Sequence, residues 1–297
     1  HLAGAVACNA KHFSRATEGL WPAEGALSVP FLNQIAETGF KWTASSHGVL
    51  KHSAGDTAAT TTPWLAPEGT PGDLTLFFRN EQLSDLIGFE YANWHGRDAA
   101  QHFMGEIEAL HAHDPKSLIN VFLDGENAWE YYPYNAWYFF SDLYGALEKS
   151  KHIRTLTLSG AAAAHHGRRV QLPKLTAGSW VFGTLSTWIG NADKNHAWDL
   201  LCEVKQCADR ALLGGRLDED ERAAVLKRLA ICESSDWFWW LGDYNSPQSV
   251  ACFDSLFREN IKSLYRLLRL PIPGSLDHPI SAGGGTPESG GTMRRAT

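Results

Sequence analysis

Short apolar runs alternate with helix-length amphipathic segments over the first 160 residues, and this alternation restricts the possible folds of the chain most strongly. Runs with the character of strands lie at 19–21, 40–44, 74–78, 118–123 and 153–158. Helices are predicted between them, at about 28–38, 98–111 and 135–148. Such alternation is typical of a parallel sheet whose strands are connected by crossover helices. The sequence therefore predicts an α/β fold.

Beyond about residue 175 the apolar periodicity is helical throughout. Helices are predicted at 196–213, 218–233 and 249–269, the first two joined by the Gly214-Gly215 turn. From Ser281 onward the chain is rich in Gly, Ser and Thr, a composition typical of disorder. We therefore predict three regions: an α/β domain over 1–175, a helical bundle over 176–280 and a disordered tail over 281–297.

The charge and cysteine content exclude several classes of protein. The net charge is -7, and no cluster of Lys or Arg is present to bind nucleic acid or an anionic membrane. No apolar run approaches the roughly 18 to 20 residues of a transmembrane helix. The 5 cysteines are an odd number without CxxC spacing, which argues against a disulfide framework and a zinc site. We expect a cytoplasmic protein with no nucleic-acid or membrane partner; its oligomeric state is left open.

The aromatic content points towards a particular kind of ligand. The chain has 12 Trp and 8 Tyr but only 2 Met, and many of the aromatic residues adjoin acids or glycines. Aromatic faces in a cleft suit flat, hydroxyl-rich rings such as sugars. Large aromatic residues also fill large cores, and the count by itself favours that explanation.

Polar residues follow three of the predicted strands directly. Glu24, Arg79 and Asp124 each stand where a strand ends, and Glu126 follows Asp124 after one glycine. Reactive residues of parallel sheets lie in the loops at the carboxyl ends of the strands. We therefore expect these side chains to face one pocket, with Trp129 close behind in the stretch VFLDGENAWEYYP.

Two carboxylates on different strand ends suggest glycoside hydrolysis, in which one acid attacks the anomeric carbon and the other protonates the leaving oxygen. Asp124 closes an apolar strand, where partial desolvation can raise its pKa enough to retain a proton. The alternative is that Glu24 and Asp124 cap the helices that follow them, since helix starts attract acids. Periodicity does not decide between the two.

Other reaction classes have no motif in the chain. G-x-G-x-x-G, the P-loop, H-E-x-x-H and G-x-S-x-G are all missing from the sequence. A metal-dependent deacetylase would need clustered His and Asp ligands at strand ends, and the sequence offers none. We expect neither a metal nor a cofactor.

Four stretches, in order, carry a family resemblance: GLWPAEGALS, LDGENAWEYYP, AGSWVFGTLSTWIGNADKNHAWDLL and ESSDWFWWLGDYNS. With them the chain resembles glycoside hydrolase family 57, the retaining α-amylase and amylopullulanase group, over about residues 1–280. The resemblance implies a (β/α)7-type barrel followed by a C-terminal helical bundle. The two motifs expected ahead of residue 19 are missing, so we expect an incomplete barrel without its first strands, in an N-terminally truncated fragment whose own activity is open.

The resemblance also implies roles for single residues. Glu24 matches the nucleophile and Asp124 the general acid/base. Substrate contacts are expected from Trp21, Arg79, Glu126, Trp129, Asp236 and Trp237. In two positions the chain departs from the family pattern: Asn80 stands where Asp is common, and Leu241 stands where Tyr is usual.

The function implied is a retaining hydrolase that cleaves α-glucans through a covalent glycosyl-enzyme. It acts on α-1,4 links, and action on α-1,6 links is left open. Two other functions stay open. One is a 4-α-glucanotransferase or branching enzyme of the same fold. The other is a catalytically inactive glucan-binding protein, which the missing strands and the changes at Asn80 and Leu241 favour.

Overall fold

The computed structural model describes residues 1–125 and 129–285. The chain divides into two compact units, His1–Leu185 and a second unit that begins at Ser186. The first unit contains the sheet, and the described part of the second consists of helices and their connections.

The first unit is built on a five-stranded sheet with the order β1-β2-β4-β3-β5. The strands are β1 (Gly19–Leu20), β2 (Trp42–Ser45), β3 (Trp64–Leu65), β4 (Thr75–Phe78) and β5 (Val170–Gln171). All neighbouring strands are parallel except β3 and β4, which run antiparallel. The predicted α/β class is confirmed.

The centre of the sheet is formed by β2 and β4, whose pairing runs from Trp42 opposite Thr75 to Ser45 opposite Phe78. All four residues of β4 are buried, as expected for a parallel strand covered on both faces. The apolar cluster on one side includes Leu32 and Ile35 from the helix after β1. The strands β1 and β4, whose carboxyl ends precede predicted site residues, therefore pack against a buried apolar cluster.

The described part of the first unit contains seven α-helices. They are α1 (Leu2–Phe13), α2 (Val29–Glu37), α3 (His47–Ala54), α4 (Glu81–Asp85), α5 (Gly96–His113), α6 (Trp137–Lys149) and α7 (Leu158–Ala164). Ser28 is the N-cap of α2, as its side-chain oxygen accepts from the Phe31 amide. Asn80 caps α4 in the same way through Leu83, so the residue that departs from the family pattern has a structural function.

The strand predicted at 118–123 is wrong. The segment is extended beside the end of β4, but its backbone hydrogen bonds go to separate backbone and side-chain groups and not to one neighbouring strand. The Asn120 carbonyl accepts from the Asn80 amide at 2.8 Å, and the Phe122 amide donates to the Ser84 hydroxyl at 3.3 Å. Since a ladder needs successive bonds to one neighbouring strand, no strand results.

The strand predicted at 153–158 is also wrong. Thr157 there accepts from the Gly160 amide at 3.1 Å and so caps α7, which begins at Leu158. The strands β3 and β5 were not predicted, because two residues are too few to show alternation. The Trp64–Leu65 strand lies inside the stretch 53–73, whose composition indicates a loop.

The described helices of the second unit are α8 (Ala192–Leu213), α9 (Glu219–Cys232), α10 (Asp236–Trp240) and α11 (Pro247–Leu267). The α9 helix begins with a capping box between Asp218 and Glu221. Buried Val204 on α8, Val225 on α9 and Phe257 on α11 supply apolar side chains to the interior. The predicted helical region is confirmed. Within the described residues, no helix combines the length and the hydropathy needed to cross a membrane.

Candidate active site

Glu24 lies in a tight turn directly after β1. Trp21 and Pro22 lead from the strand into a single 3-10 turn, Ala23–Gly25. Glu24 has φ 58° and ψ 20°, the left-handed conformation that L-residues other than glycine rarely adopt. Gly25 follows with φ 57°. A carboxylate residue held in this region is under backbone strain of about 1–2 kcal/mol, and such strain is common at functional sites.

Trp180 holds both the backbone and the carboxylate of Glu24. The Trp180 amide donates to the Glu24 carbonyl at 2.9 Å, and the indole Nε1–H donates to Glu24 Oε2 at 2.9 Å. The turn is also fixed from β2, because the Ser45 hydroxyl donates to the Gly25 carbonyl at 2.6 Å. Ser28 caps the following helix, so the alternative that Glu24 acts as a cap of α2 is wrong.

Three aromatic rings pack around this turn. The Trp21 ring stacks on Phe122, with centroids 5.0 Å apart and an interplanar angle of 20°. Its other neighbour is Trp180, edge-on at 5.4 Å. A Cβ on Gly25 would lie 2.9 Å from Cη2 of Trp21, so this position has no room for a side chain.

Asp124 is partly buried at the end of the extended segment 118–123. Two residues earlier, Phe122 contacts Trp21 with its ring and accepts from Arg79 Nε with its carbonyl at 2.9 Å. The segment that carries Asp124 is therefore attached both to the turn of Glu24 and to the end of β4. The segments that carry Glu24, Arg79 and Asp124 therefore lie together, and the expectation that the three side chains face one pocket stays a prediction.

Arg79 is buried and makes its described contacts with protein groups. Its Nη2 lies 2.8 Å from the Asp85 carboxylate, and the guanidinium carbon lies 5.7 Å from the Trp180 ring centroid. A buried ion pair with a further bond to the Phe122 carbonyl holds the guanidinium in one orientation. Arg79 thereby positions both Phe122 and Trp180, and its contact with substrate stays a prediction.

The remaining predicted site residues belong to other segments of the chain. Trp129 is partly buried and packs on Phe140 of α6, with centroids 4.6 Å apart. Asp236 and Trp237 lie on α10 in the second unit, where Asp236 is exposed and Trp237 Nε1–H donates to the Ile231 carbonyl at 2.7 Å. Glu126 lies outside the described residues.

Sequence reasoning assigned no role to Trp180 or Phe122, although both contact the proposed site. One signal for Trp180 was its place in AGSWVFG, between two glycines. A Cβ on Gly178 would lie 2.2 Å from the carbonyl oxygen of Gly183. This close backbone approach requires glycine, and it shapes the loop that presents Trp180.

Burial raises the pKa of two tyrosines that pack against α5 and α6. The pKa of Tyr91 is raised to about 12, and that of Tyr132 is raised as well. In residues 1–125 and 129–285, no three His, Cys, Asp or Glu side chains are grouped so that they could hold a metal ion. The chemistry that this arrangement supports is acid–base and nucleophilic chemistry of carboxylates.

Comparison with known families identifies the chain. Residues 1–174 match the model of glycosyl hydrolase family 57. The chain belongs to this family. A comparison with curated protein sequences found no match.

Solved structures of family 57 enzymes share the fold. A branching enzyme from Thermococcus kodakaraensis has a TM-score of 0.72 at 16% identity, over 90% of this chain and 61% of its own. A branching enzyme from Pyrococcus horikoshii has a TM-score of 0.65 at 16% identity, over 93% and 66%. An α-amylase from Thermotoga maritima has a TM-score of 0.65 at 15% identity, over 89% and 61%.

These three matches bear on fold and length. The predicted fold, an incomplete α/β domain of the family 57 barrel type followed by helices, is confirmed: the chain has a five-stranded, mostly parallel sheet and shares the fold of these enzymes. The chain spans roughly three fifths to two thirds of the length of these enzymes.

Proposed function

We propose that this family 57 chain carries the acid pair of a retaining α-glucan hydrolase, with Glu24 as nucleophile and Asp124 as general acid/base. The observation that carries the proposal is the backbone conformation of Glu24 together with the hydrogen bond to its carboxylate. Its backbone is left-handed, and its carboxylate receives a hydrogen bond from Trp180. A strained backbone held by neighbouring groups is expected where a reacting side chain needs one fixed orientation.

In the proposed mechanism, Glu24 attacks the anomeric carbon and forms a covalent glycosyl-enzyme while Asp124 protonates the leaving oxygen. Asp124 then takes a proton from water as the water oxygen bonds to the anomeric carbon. The bond between that carbon and Glu24 breaks, which releases the sugar, returns Glu24 to its carboxylate form and leaves Asp124 protonated again. The Trp180 donor to Oε2 keeps the carboxylate plane fixed during the attack. Arg79 keeps Phe122, and with it the segment of Asp124, against Trp21.

Substrate contacts belong to the same proposal. Trp21 and Trp129 are proposed to stack on sugar rings, since amphipathic aromatic faces suit them. Glu126, Asp236 and Trp237 are proposed as further subsite residues, and the first unit is proposed as the catalytic domain. Action on α-1,6 links, as in amylopullulanases, and a cytoplasmic location stay predictions of the sequence.

A second candidate is transfer of the glycosyl group to a sugar hydroxyl instead of water, because two of the structures with this fold are branching enzymes. It uses the same two acids and the same covalent intermediate. Product analysis on maltooligosaccharides separates the two. Glucose and short chains indicate hydrolysis, longer or branched products indicate transfer, and binding without any product indicates an inactive glucan-binding protein.

The assignment of the acids is tested with Glu24→Gln and Asp124→Asn. Each is expected to lower turnover of maltooligosaccharides at least about a hundredfold, with an unchanged circular dichroism spectrum. Glu18→Gln is the matched control, since Glu18 is an exposed carboxylate just before β1. Turnover close to wild type in either acid variant would contradict the assignment.

A further inference from the structure

Exposed tryptophan and tyrosine side chains are concentrated in one part of the first unit. Among the described residues, those counted as exposed are Trp94, Tyr131, Tyr134, Trp137, Tyr138 and Tyr144. Five of these six fall within 15 residues of the chain, at the start of α6 and just before it. Every other Trp and Tyr of the described chain is buried or partly buried.

Four of these residues form what we name the exposed aromatic face: Tyr134, Trp137, Tyr138 and Tyr144. Their exposed fractions are 77%, 67%, 55% and 56%. Trp137 and Tyr144 are seven residues apart, or about two turns, and so lie on the same side of α6, about 10 Å apart along its axis. The Tyr134 and Tyr138 rings meet edge-on at 5.5 Å.

The backbone before α6 is strained in a way that places Tyr134. Tyr134, Asn135 and Ala136 have φ values of 54°, 51° and 62°, three consecutive left-handed residues. Each such residue costs about 1–2 kcal/mol. The turn brings the Tyr134 ring against Tyr138 at the surface instead of into the interior, where Phe139 and Leu143 point.

Ring contacts connect this face to the segment after Asp124. Tyr144 stacks on Phe140 with centroids 5.7 Å apart and an interplanar angle of 11°. Phe140 in turn packs on Trp129, at 4.6 Å. Trp129 follows the proposed general acid/base by five residues. The face is therefore continuous with the part of the chain to which the proposed function assigns sugar binding.

The chemistry of the face suits a sugar chain. Its four residues carry three phenol hydroxyls and one indole N–H, and none of them is aliphatic. Polar groups adjoin the rings on α6, among them exposed Ser141 and Asp142, which pairs with Arg97 at 3.9 Å. Flat apolar faces with hydrogen-bonding edges match the alternating apolar faces and hydroxyls of glucose units.

We propose that the exposed aromatic face is a second glucan-binding surface, separate from the turn of Glu24, which holds an α-glucan chain by stacking on Trp137 and Tyr144. The inference rests on the proposed function for the class of ligand. It adds a site that retains polymeric substrate without taking part in the bond-breaking step. Long glucans are expected to depend on it, and short ones are not.

The test is affinity electrophoresis of the 297-residue chain in gels that contain amylopectin. All proteins carry Glu24→Gln, so that turnover does not degrade the polymer. Trp137→Ala/Tyr144→Ala is expected to weaken retention about tenfold, because two stacking contacts are lost. Trp137→Phe/Tyr144→Phe keeps both rings and is expected to retain most of the binding. Leu213→Ala, at a side chain that is 88% exposed in the second unit, is the control.

Each outcome decides the inference. Loss of retention in the double alanine variant alone, with an unchanged melting temperature, supports it. Retention equal to the parent protein overturns it, and so does a parent protein that amylopectin does not retard. Sedimentation that shows a dimer broken by the double alanine variant also overturns it, because the face would then be a contact between two copies.

The proposed function fails separately from this inference. The proposed function is tested by turnover of maltotriose in proteins that keep Glu24. Trp137→Ala/Tyr144→Ala is expected to keep wild-type turnover of this short substrate. If Glu24→Gln leaves that turnover unchanged, the acid assignment is wrong, while retention on amylopectin still decides whether the aromatic face binds glucan.

Discussion

Glu24 and Gly25 both have a left-handed backbone conformation, and its conformational energy is higher for Glu24 than for Gly25. Glycine adopts φ 57° freely, whereas Glu24 at φ 58° is strained. The strain is offset by hydrogen bonds to Glu24 from Trp180 and to Gly25 from Ser45. At this scale, the orientation of the Glu24 carboxylate depends on the few neighbours that hold it.

Gly25→Ala is expected to displace Trp21 and to lower kcat/KM at least tenfold. The new methyl group would lie 2.9 Å from Cη2 of Trp21, and the positive φ adds a cost of about 1 kcal/mol to stability. Gly39→Ala is the matched control, because Gly39 has φ 96° but no atom within 4 Å of the added group. It should lose stability and keep activity. Equal activities of the two variants would contradict this account of Gly25.

Trp180→Phe removes the indole donor and keeps an aromatic ring. We expect kcat to fall about tenfold with KM little changed, since the lost hydrogen bond of roughly 1.4 kcal/mol orients the proposed nucleophile, Glu24, and not the substrate. Trp198→Phe is the control, because it removes a similar indole bond to the Trp188 carbonyl in the second unit. A rise in KM at constant kcat would instead assign Trp180 to substrate binding.

Individual helices and segments are held in place by a few polar side chains whose hydrogen bonds cannot be inferred from the apolar pattern of the sequence. In the first unit, the extended segment 118–123 is held by Asn120 and Ser84 in place of a ladder. In the second unit, the buried ammonium of Lys194 donates to the Thr187 and Phe238 carbonyls and to the Tyr244 hydroxyl. This one side chain connects the start of α8 with α10 and the turn after it.

Lys194→Met is expected to destabilise the second unit by about 3 kcal/mol or more, because the buried Phe238 carbonyl and the partly buried Thr187 carbonyl both lose the ammonium donor. Lys205→Met, on the same helix, is the control. Lys205 pairs with Asp209 at 2.7 Å near the surface, and such an i,i+4 pair contributes about 0.3–0.5 kcal/mol. Urea unfolding followed by tryptophan fluorescence measures both. A cost for Lys194→Met as small as that for Lys205→Met would refute the bridging role.

Across the whole molecule, ion pairs connect segments that are distant in sequence. Asp73, just before β4, pairs with Arg169, just before β5, at 2.6 Å and with His166 at 2.7 Å. The hydrogen bond from Arg169 lowers the pKa of Asp73, with a further contribution from His166. The pair spans the strand β3 that lies between β4 and β5.

The lowered pKa of Asp73 predicts a pH dependence of stability. A carboxyl whose folded pKa lies below its unfolded value of 3.8 stabilises the fold above that pH. The contribution is lost as the pH falls through the folded pKa. Asp73→Asn should therefore lower the free energy of unfolding near neutral pH and not in strong acid. Asp56→Asn, at the exposed pair with Lys51, should show little effect at either pH. The same deficit for Asp73→Asn at both pH values would contradict the linkage.

Local patterns in the sequence determined much of this protein. The strands β1, β2 and β4, the helices beyond residue 175 and the loops of Glu24 and Asp124 all follow from apolar periodicity and from where it stops. These features depend on neighbours within about ten residues, which a single sequence displays. The four quoted stretches further indicated family 57, which the match over residues 1–174 confirms.

Only the tertiary structure decided the remaining features. The bond between Trp180 and Glu24 joins residues 156 positions apart, and the left-handed turn that it holds has no local signal beyond Gly25. The strands β3 and β5 have two residues each, so their pairing depends on the sheet beside them and not on alternation. Segment 118–123 has the composition of a strand, but its backbone groups find partners in side chains and loops. Periodicity records which residues are buried, whereas the partner of each polar group is settled only when distant segments pack together.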